Sequence, residues 1–528
     1  MNKKMIMKKI TSFILMGVVL LGTSCKKYLD INSNPNSATS ATPKLILPQA
    51  LTATAGMMNS YNNYGAQMVG YMANAGGYGG FGSAVTYSFS ANDFTGLWSG
   101  TYDNLEDYQT IINQSAGKPE YTYFKAVARI MKAMDYQLLV DTYNDVPYNE
   151  ALKGADNLTP AYTDAKVIYK DLAAQLDTAI TEINAGATVP GVTPLSSSDV
   201  MFKGDYTKWK QFANTLKLRL MIHASGKVTF NNTTFSSDGF LTSDAMINPG
   251  YIRDNGKQNP KWNNWGFTST GGDATKSWMP TTFILGFYNG AKLSDNYRGP
   301  AIYYKFPSTP TNRLGYENSS VVSSPSGSFW YPNNDRTAAT AGNVTGVLKG
   351  PEASMPVLTA SESYFLQAEG RLKGLITTGD DVATLFKNGM VASFHYLYLK
   401  SDNKTLAADP ATDVASYISD NSGSYLVNFS IATSADQQLE AIITQKYIAL
   451  NMVNSDQAWD DYRRTHYPTI ISTAGATGTQ TFASLQSQSS RPDKLPTRVL
   501  YPTSEGSYNT SNMPKGISPF TSTIFWAL

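Results

Sequence analysis

Residues 208–219 read Lys208-Trp209-Lys210-Gln211-Phe212-Ala213-Asn214-Thr215-Leu216-Lys217-Leu218-Arg219. Trp209, Phe212, Leu216 and Leu220 recur at spacings of three and four, which predicts a helix over Tyr206–His223 with one face in a core. Outward from it the same period returns. Phe124, Val127, Met131, Met134 and Leu138 mark a helix over Tyr123–Tyr143, ended before Pro147, which disfavours helix in the residue preceding it. Ile168, Leu172, Leu176, Ile180 and Ile183 mark another from about Thr163 to Ile183. Two later pairs follow, Thr359–Lys373 with Val382–Lys400, and Ala435–Val453 with Asp456–Thr465. Paired helices of this length joined by short loops predict a mainly α fold, a tetratricopeptide-like stack of helical pairs. Residues 226–355 and 467–520 lack the period and are rich in Gly, Ser, Thr, Asn and Pro. Trp262, Trp265, Trp278 and Trp330 mark the first of these stretches as folded. The expectation is a helical frame over about 42–225 and 355–466, carrying a loop-rich region over about 226–355 with few short strands.

The chain opens with Lys3, Lys4, Lys8 and Lys9, an apolar run from Ile10 to Leu21, and then Gly22-Thr23-Ser24-Cys25. A basic segment, a short apolar core and small residues make an export signal over 1–24, too short to span a bilayer. Cys25 is the only cysteine of the 528 residues. A cysteine directly after small residues resembles the acylation point of a bacterial lipoprotein, so Cys25 is expected to carry lipid, palmitate included. Residues 25–41, rich in Asn, Ser and Pro, read as a tether, and 42–528 as a single domain. Loss of the signal removes four lysines and no acid, taking the formal charge from +2 to −2. That balance argues against nucleic-acid binding and against polybasic membrane attachment, and leaves the lipid to hold the chain to a membrane.

Several motifs invite a catalytic reading. Gly77-Tyr78-Gly79-Gly80-Phe81-Gly82 matches G-x-G-x-x-G, with Asp103 some twenty residues on. Tyr64–Ala75 reads as helix, however, and Ala84–Phe89 alternates like a strand, so the strand–turn–helix context of a dinucleotide site is missing. His223, His395 and His466 stand far apart, without clustered metal ligands in sequence. Neither a G-x-S-x-G elbow nor a P-loop occurs. The carboxylate pairs Asp460/Asp461 and Glu362/Glu369 fit helix faces. The reading is of a protein that is not an enzyme, with no cofactor and no metal ligands identified in the sequence.

Eight stretches in order resemble the SusD/RagB family of outer-membrane nutrient-binding lipoproteins. They are Cys25–Asn32, Trp98–Leu105, Asp145–Ala151, Lys208–Arg219, Ala360–Gly370, Trp459–Arg464, Arg498–Pro502 and Ile524–Trp526. The Gly- and Tyr-rich early loop and Arg498-Val499-Leu500-Tyr501-Pro502 resemble the second, shorter SusD-like subgroup. The resemblance implies a lipid anchor in the outer membrane of a Bacteroidetes-type bacterium, facing the extracellular side. It implies capture of an oligosaccharide, or in some members a peptide, above a SusC-like TonB-dependent transporter that takes the nutrient inward. A peptide-capturing member of the same family and a lipid-anchored glycan hydrolase remain as alternatives. Within the motifs, Trp209, Phe212, Leu216, Trp459 and Tyr462 read as packing, and Arg463 or Glu369 as internal ion pairs that lock helices.

Sugars present apolar C–H faces and a rim of hydroxyls, so a binder needs aromatic faces together with polar hydrogen-bonding groups. With 33 Tyr and 8 Trp beside 22 Phe, the chain favours aromatics that have a polar handle. Trp98 matches the family's tryptophan platform and Asp103 lies near as a polar partner. Tyr78 and Phe81 lie in the Gly-rich loop. Trp278, Tyr288 and Trp330 come from the irregular region. These seven are the candidate ligand-binding residues.

Overall fold

Asp199 sets how the Trp209 helix begins. Its Oδ1 accepts the N–H groups of Met201 and Phe202 at 3.0 and 2.9 Å, and its Oδ2 accepts those of Gly204 and the Trp209 indole, both at 2.8 Å. Asp205 then caps the helix by accepting from the Lys208 N–H. Trp209, Phe212 and Leu216 are buried as their spacing predicts. The opposite face is buried as well, because Asn214, Lys217 and Arg219 are almost inaccessible. Lys217 Nζ pairs with Asp177 at 2.7 Å, and Arg219 donates to Gln137 and Glu362, each at 3.1 Å. The charged half of the motif therefore supplies internal ties rather than a solvated surface.

The computed structural model describes residues 41–528 apart from 318–319, 321, 324 and 333–343. The export signal, Cys25 and nearly all of the 25–41 tether lie outside the described residues. Pro43–Leu528 forms one unit. Its long helices are α1 (Pro43–Met68), α2 (Thr95–Gln114), α3 (Thr122–Tyr143), α4 (Ala165–Gly186), α5 (Tyr206–His223), α6 (Ala360–Leu372), α7 (Val382–Tyr398), α8 (Pro410–Asp420), α9 (Ala435–Leu450) and α10 (Ser455–Thr465). Helices α1 to α5 pack each on the next, α5 packs on α6, and α6 packs on both α7 and α9. Helix α10 follows α9 and returns onto α1. The fold is thus mainly α, a tetratricopeptide-like succession of helical pairs. Between α5 and α6 runs the loop-rich region.

Of the three short antiparallel pairs among the described residues, the first pins that region to the frame. The pairs are β1 (Met72–Asn74) with β5 (Trp278–Pro280), β2 (Val146–Pro147) with β3 (Tyr162–Thr163), and β4 (Ala245–Ile247) with β6 (Met355–Leu358). Two local expectations are corrected. The segment after the Gly-rich loop is a short helix, Gly82–Thr86, not a strand, and Met72–Asn74 is a strand, not the end of a helix. A strand, a Gly loop and a helix thus do succeed one another. The strand is antiparallel and three residues long, whereas dinucleotide folds build this motif on a parallel sheet.

Of helix α1 only the end, from Tyr64, reads as helix in the sequence, and Pro48 interrupts its first turns. Proline has no N–H and leaves the carbonyl four residues earlier without its helical partner. The Ser198 hydroxyl donates to that carbonyl, Lys44 O, at 3.0 Å. At its other end α1 receives α10. The Asn62 Oδ1 accepts the Ser455 N–H and hydroxyl, and a Cβ on Gly65 would stand 2.1 Å from the Asp456 backbone nitrogen.

Charged residues of α6, α9 and α10 form a second buried network. Arg464 makes a bidentate pair with Glu369 and also binds Asp461 at 2.7 Å, while Lys446 meets Asp461 at 3.0 Å and Lys373 meets Glu369 at 2.8 Å. Burial alone would raise the Glu369 pKa, but the Arg464 and Lys373 charges hold the carboxyl well below the usual range.

Two outcomes follow for stability. Gly65→Ala forces α10 away from α1 and is expected to cost about 3 kcal/mol, read as a lower midpoint in urea unfolding. Glu369→Gln leaves Arg464 short of a counter-charge in a dry interior, with a loss of about 3 kcal/mol. Because the folded pKa of Glu369 is depressed, its contribution is present above the ordinary glutamate range and lost as the pH falls. The gap between wild type and Glu369→Gln is therefore expected to be full from about pH 5 upward and to narrow in stronger acid. A gap independent of pH would contradict the assignment.

Candidate ligand-binding site

The pairing of β1 with β5 sets Trp278 opposite Asn74. Asn74 in turn shapes the Gly-rich loop, its Oδ1 accepting the Gly76 N–H and its Nδ2 donating to Tyr78 O, both at 2.7 Å. Gly76, Gly77 and Gly80 have positive φ, the region where a side chain would be strained. The loop thereby folds back and lays Phe81 against Trp278, with ring centroids 4.5 Å apart. Beside this pair lies an open groove of about 440 Å³.

One wall is a face of α1, where Ser60, Asn63, Tyr64 and Gln67 fall three and four residues apart. Phe94, Gly96 and Leu97 at the start of α2 form a second wall, and Met72 comes from β1. Asn264, Trp265, Ala274, Thr275 and Trp278 complete it from the loop-rich region. Phe94 adopts φ 57°, a left-handed conformation unusual for a bulky residue, and its ring meets Tyr64 edge-on at 5.1 Å. Asn63 Oδ1 accepts the Trp265 indole N–H at 2.7 Å and so sets the angle of that ring. Burial raises the Tyr64 pKa and keeps its hydroxyl neutral. Among the described residues the lining holds no Asp, Glu, Lys, Arg or His. Chemically, the groove offers aromatic faces rimmed by amides and hydroxyls.

Of the seven residues singled out from sequence, Phe81 and Trp278 come together here, with half-buried Tyr78 in the same loop. Trp98 does not join them. Its ring turns away into a cluster with Tyr102, Tyr143, Tyr162 and Tyr501, at 5.0 to 6.3 Å, and is 6 % exposed. It follows Leu97 on α2 by one residue, so it projects from a different side of the helix. Asp103 is exposed on α2 outside the groove lining. Tyr288 is fully buried and donates to Ile448 O at 3.3 Å. Trp330 is fully buried against Trp265, edge-on at 5.2 Å, and supports the groove from below.

Periodicity missed Asn63, Gln67, Phe94, Asn264 and Trp265. The polar spacing of Ser60, Asn63 and Gln67 was the available signal, within a helix hidden by Pro48. A larger cleft of about 940 Å³ lies between loop 233–242 and turn 374–380. It lacks tryptophan, and its Phe235 and Phe240 rings pack on one another at 4.9 Å, which leaves a ligand fewer aromatic faces.

Similarity to known proteins is consistent along the chain. Residues 35–271 match the second SusD-like family model, described as "Starch-binding associating with outer membrane". Residues 332–522 match the SusD-like model described as "Susd and RagB outer membrane lipoprotein". No curated protein matches significantly. Among solved structures, a chitin-binding SusD homolog from Flavobacterium johnsoniae is 21% identical with TM-score 0.63, over 90% of this chain and 98% of that one. SusD homologs from Bacteroides fragilis and Bacteroides uniformis are 19% and 21% identical, with TM-scores 0.61 and 0.62. Each alignment covers 92% of this chain, with 100% and 99% of the respective homolog. At such identities the structural likeness is one of fold. Two family models matched in sequence order over most of the length, on a helical frame these homologs share, place the chain in the SusD/RagB family.

Proposed function

We propose that this protein captures a neutral oligosaccharide in the Trp278 groove, at the outer face of an outer membrane, and delivers it to a SusC-like TonB-dependent transporter. The observation that carries the reading is the groove itself, with its indole and phenyl faces and its uncharged polar rim. Pyranose rings stack on such faces, while amides exchange hydrogen bonds with hydroxyls. Asn63 spends its carbonyl on Trp265 and keeps its amide N–H groups for a ligand. Carbohydrate and nutrient binding is the activity associated with the family, whose members are binding proteins, and the Flavobacterium johnsoniae relative is described as chitin-binding.

A peptide would bring charged termini and side chains, for which the described lining offers no counter-charge. An anionic glycan meets the same difficulty. For hydrolysis, a carboxylate pair would have to flank the bound sugar. Instead Glu362, Glu369, Asp460 and Asp461 are bound to arginines in the frame. Among the described residues no helix is long and apolar enough to cross a membrane. Membrane attachment rests on acylation of Cys25, and the expected partners are the transporter and the lipid bilayer.

Isothermal titration of residues 26–528 with neutral oligosaccharides (chito-, cello-, malto- and xylo-), uronic-acid oligosaccharides and short peptides tests the reading. Binding confined to a neutral glycan, released uncut, is expected. Trp278→Ala should weaken that binding roughly thirtyfold, the ordinary cost of about 2 kcal/mol for removing an aromatic anchor. Trp98→Ala should lower thermal stability and leave the affinity of the folded protein unchanged. Undiminished capture by Trp278→Ala would remove the groove from consideration, and shortened products would favour a hydrolase.

A further inference from the structure

Outside the groove, three side chains distant in sequence meet in the interior. Asp141 lies in the last turn of α3, His223 is the final residue of α5, and Asp460 lies in α10. Each is at most 3 % exposed, and one ligand atom of each lies within 4.8 Å of the others. We propose that Asp141, His223 and Asp460 bind a divalent metal ion of the zinc class, which fastens the ends of α3 and α5 to α10.

Three features support the site. The first is unpaired polarity, since both ring nitrogens of fully buried His223 and Oδ2 of Asp141 lack hydrogen-bond partners. Buried groups of this kind are costly unless something meets them. The second is distance. Asp141 Oδ2 and His223 Nδ1 are 3.5 Å apart, long for a charge-assisted hydrogen bond, which runs about 2.7–2.9 Å. It is close to the edge of a tetrahedron around an ion held at about 2.0–2.1 Å from each ligand, roughly 3.4 Å. The third is charge. Two carboxylates sit where the negative ends of α3 and α5 converge, and Arg463 is the cation bonded there, to Asp460 and to the Asp141 backbone carbonyl. A cation among the side chains relieves the remaining repulsion.

The surroundings hold the ligands in place. The Trp526 indole donates to Asp141 Oδ1 at 2.8 Å and the Tyr169 hydroxyl donates to the same oxygen. The Gln457 amide donates to Asp460 Oδ2 at 3.1 Å. Such partners orient the ligating atoms of metal sites. One imidazole nitrogen and two carboxylate oxygens suit zinc better than calcium or magnesium, which favour all-oxygen shells.

The test uses residues 26–528 purified without chelator. Elemental analysis is expected to find about one zinc-class ion per chain. Unfolding and refolding in a strong chelator should lower the melting temperature, and added Zn²⁺ should restore it. Asp460→Asn keeps the shape of the acid and should abolish the bound metal, and His223→Asn should do the same. If the carboxylates instead share a proton, the wild type will be metal-free, neither chelator nor Zn²⁺ will move its melting temperature, and Asp460→Asn will be as stable or more so. That result would overturn the proposal. Should neither variant fold, metal content and the chelator response of the wild type decide it alone.

Discussion

The architecture depends on buried ion pairs that join helices distant in sequence. Arg219 of α5 reaches Glu362 of α6 across the whole loop-rich region, and Arg464 of α10 reaches Glu369 of the same helix. Helix α6 is thereby tied to both halves of the frame. Apolar packing is non-directional and would tolerate several ways of sliding one helix along another. A bidentate arginine–carboxylate pair in a dry interior tolerates far fewer, because a misplaced partner leaves a charge unmet. On this reading the pairs add less to net stability than to the choice of a single docking arrangement.

That constraint also explains which parts of the sequence were readable. Stripes such as Ile168–Leu172–Leu176–Ile180 announce helices because one helix face must meet a core, and Tyr206–His223 was found to the residue. Helix α1 was not, since Pro48 breaks the pattern and its open carbonyl is satisfied by Ser198, a residue no local reading would connect to it. Lys217 and Arg219 look like surface charges on a helical projection. Their burial follows only from where Asp177 and Glu362 arrive in space. Glu369 and the tryptophan stripe were legible as internal because both belong to the helix pattern itself.

The geometry of the candidate groove was half legible for a related reason. Composition pointed to loop aromatics, and Phe81 and Trp278 do meet. Trp98 was chosen by resemblance, yet Tyr102 on its own helix and Tyr143 on α3 enclose it. An aromatic on a helix is positioned by that helix's packing, whereas one on a strand pair beside a Gly loop is positioned by backbone hydrogen bonds and can leave a face open. Asn63 and Trp265, which touch each other, lie some two hundred residues apart, and only the fold pairs them.

That separation gives the short β1–β5 pairing a significance beyond geometry. The two strands close a loop of roughly two hundred residues, a contact with a larger closure entropy than any local helix pair. The aromatic cradle therefore requires two segments distant in sequence to be in place together. A ligand held there would bind only the completed molecule, and by mass action it would protect the chain against unfolding.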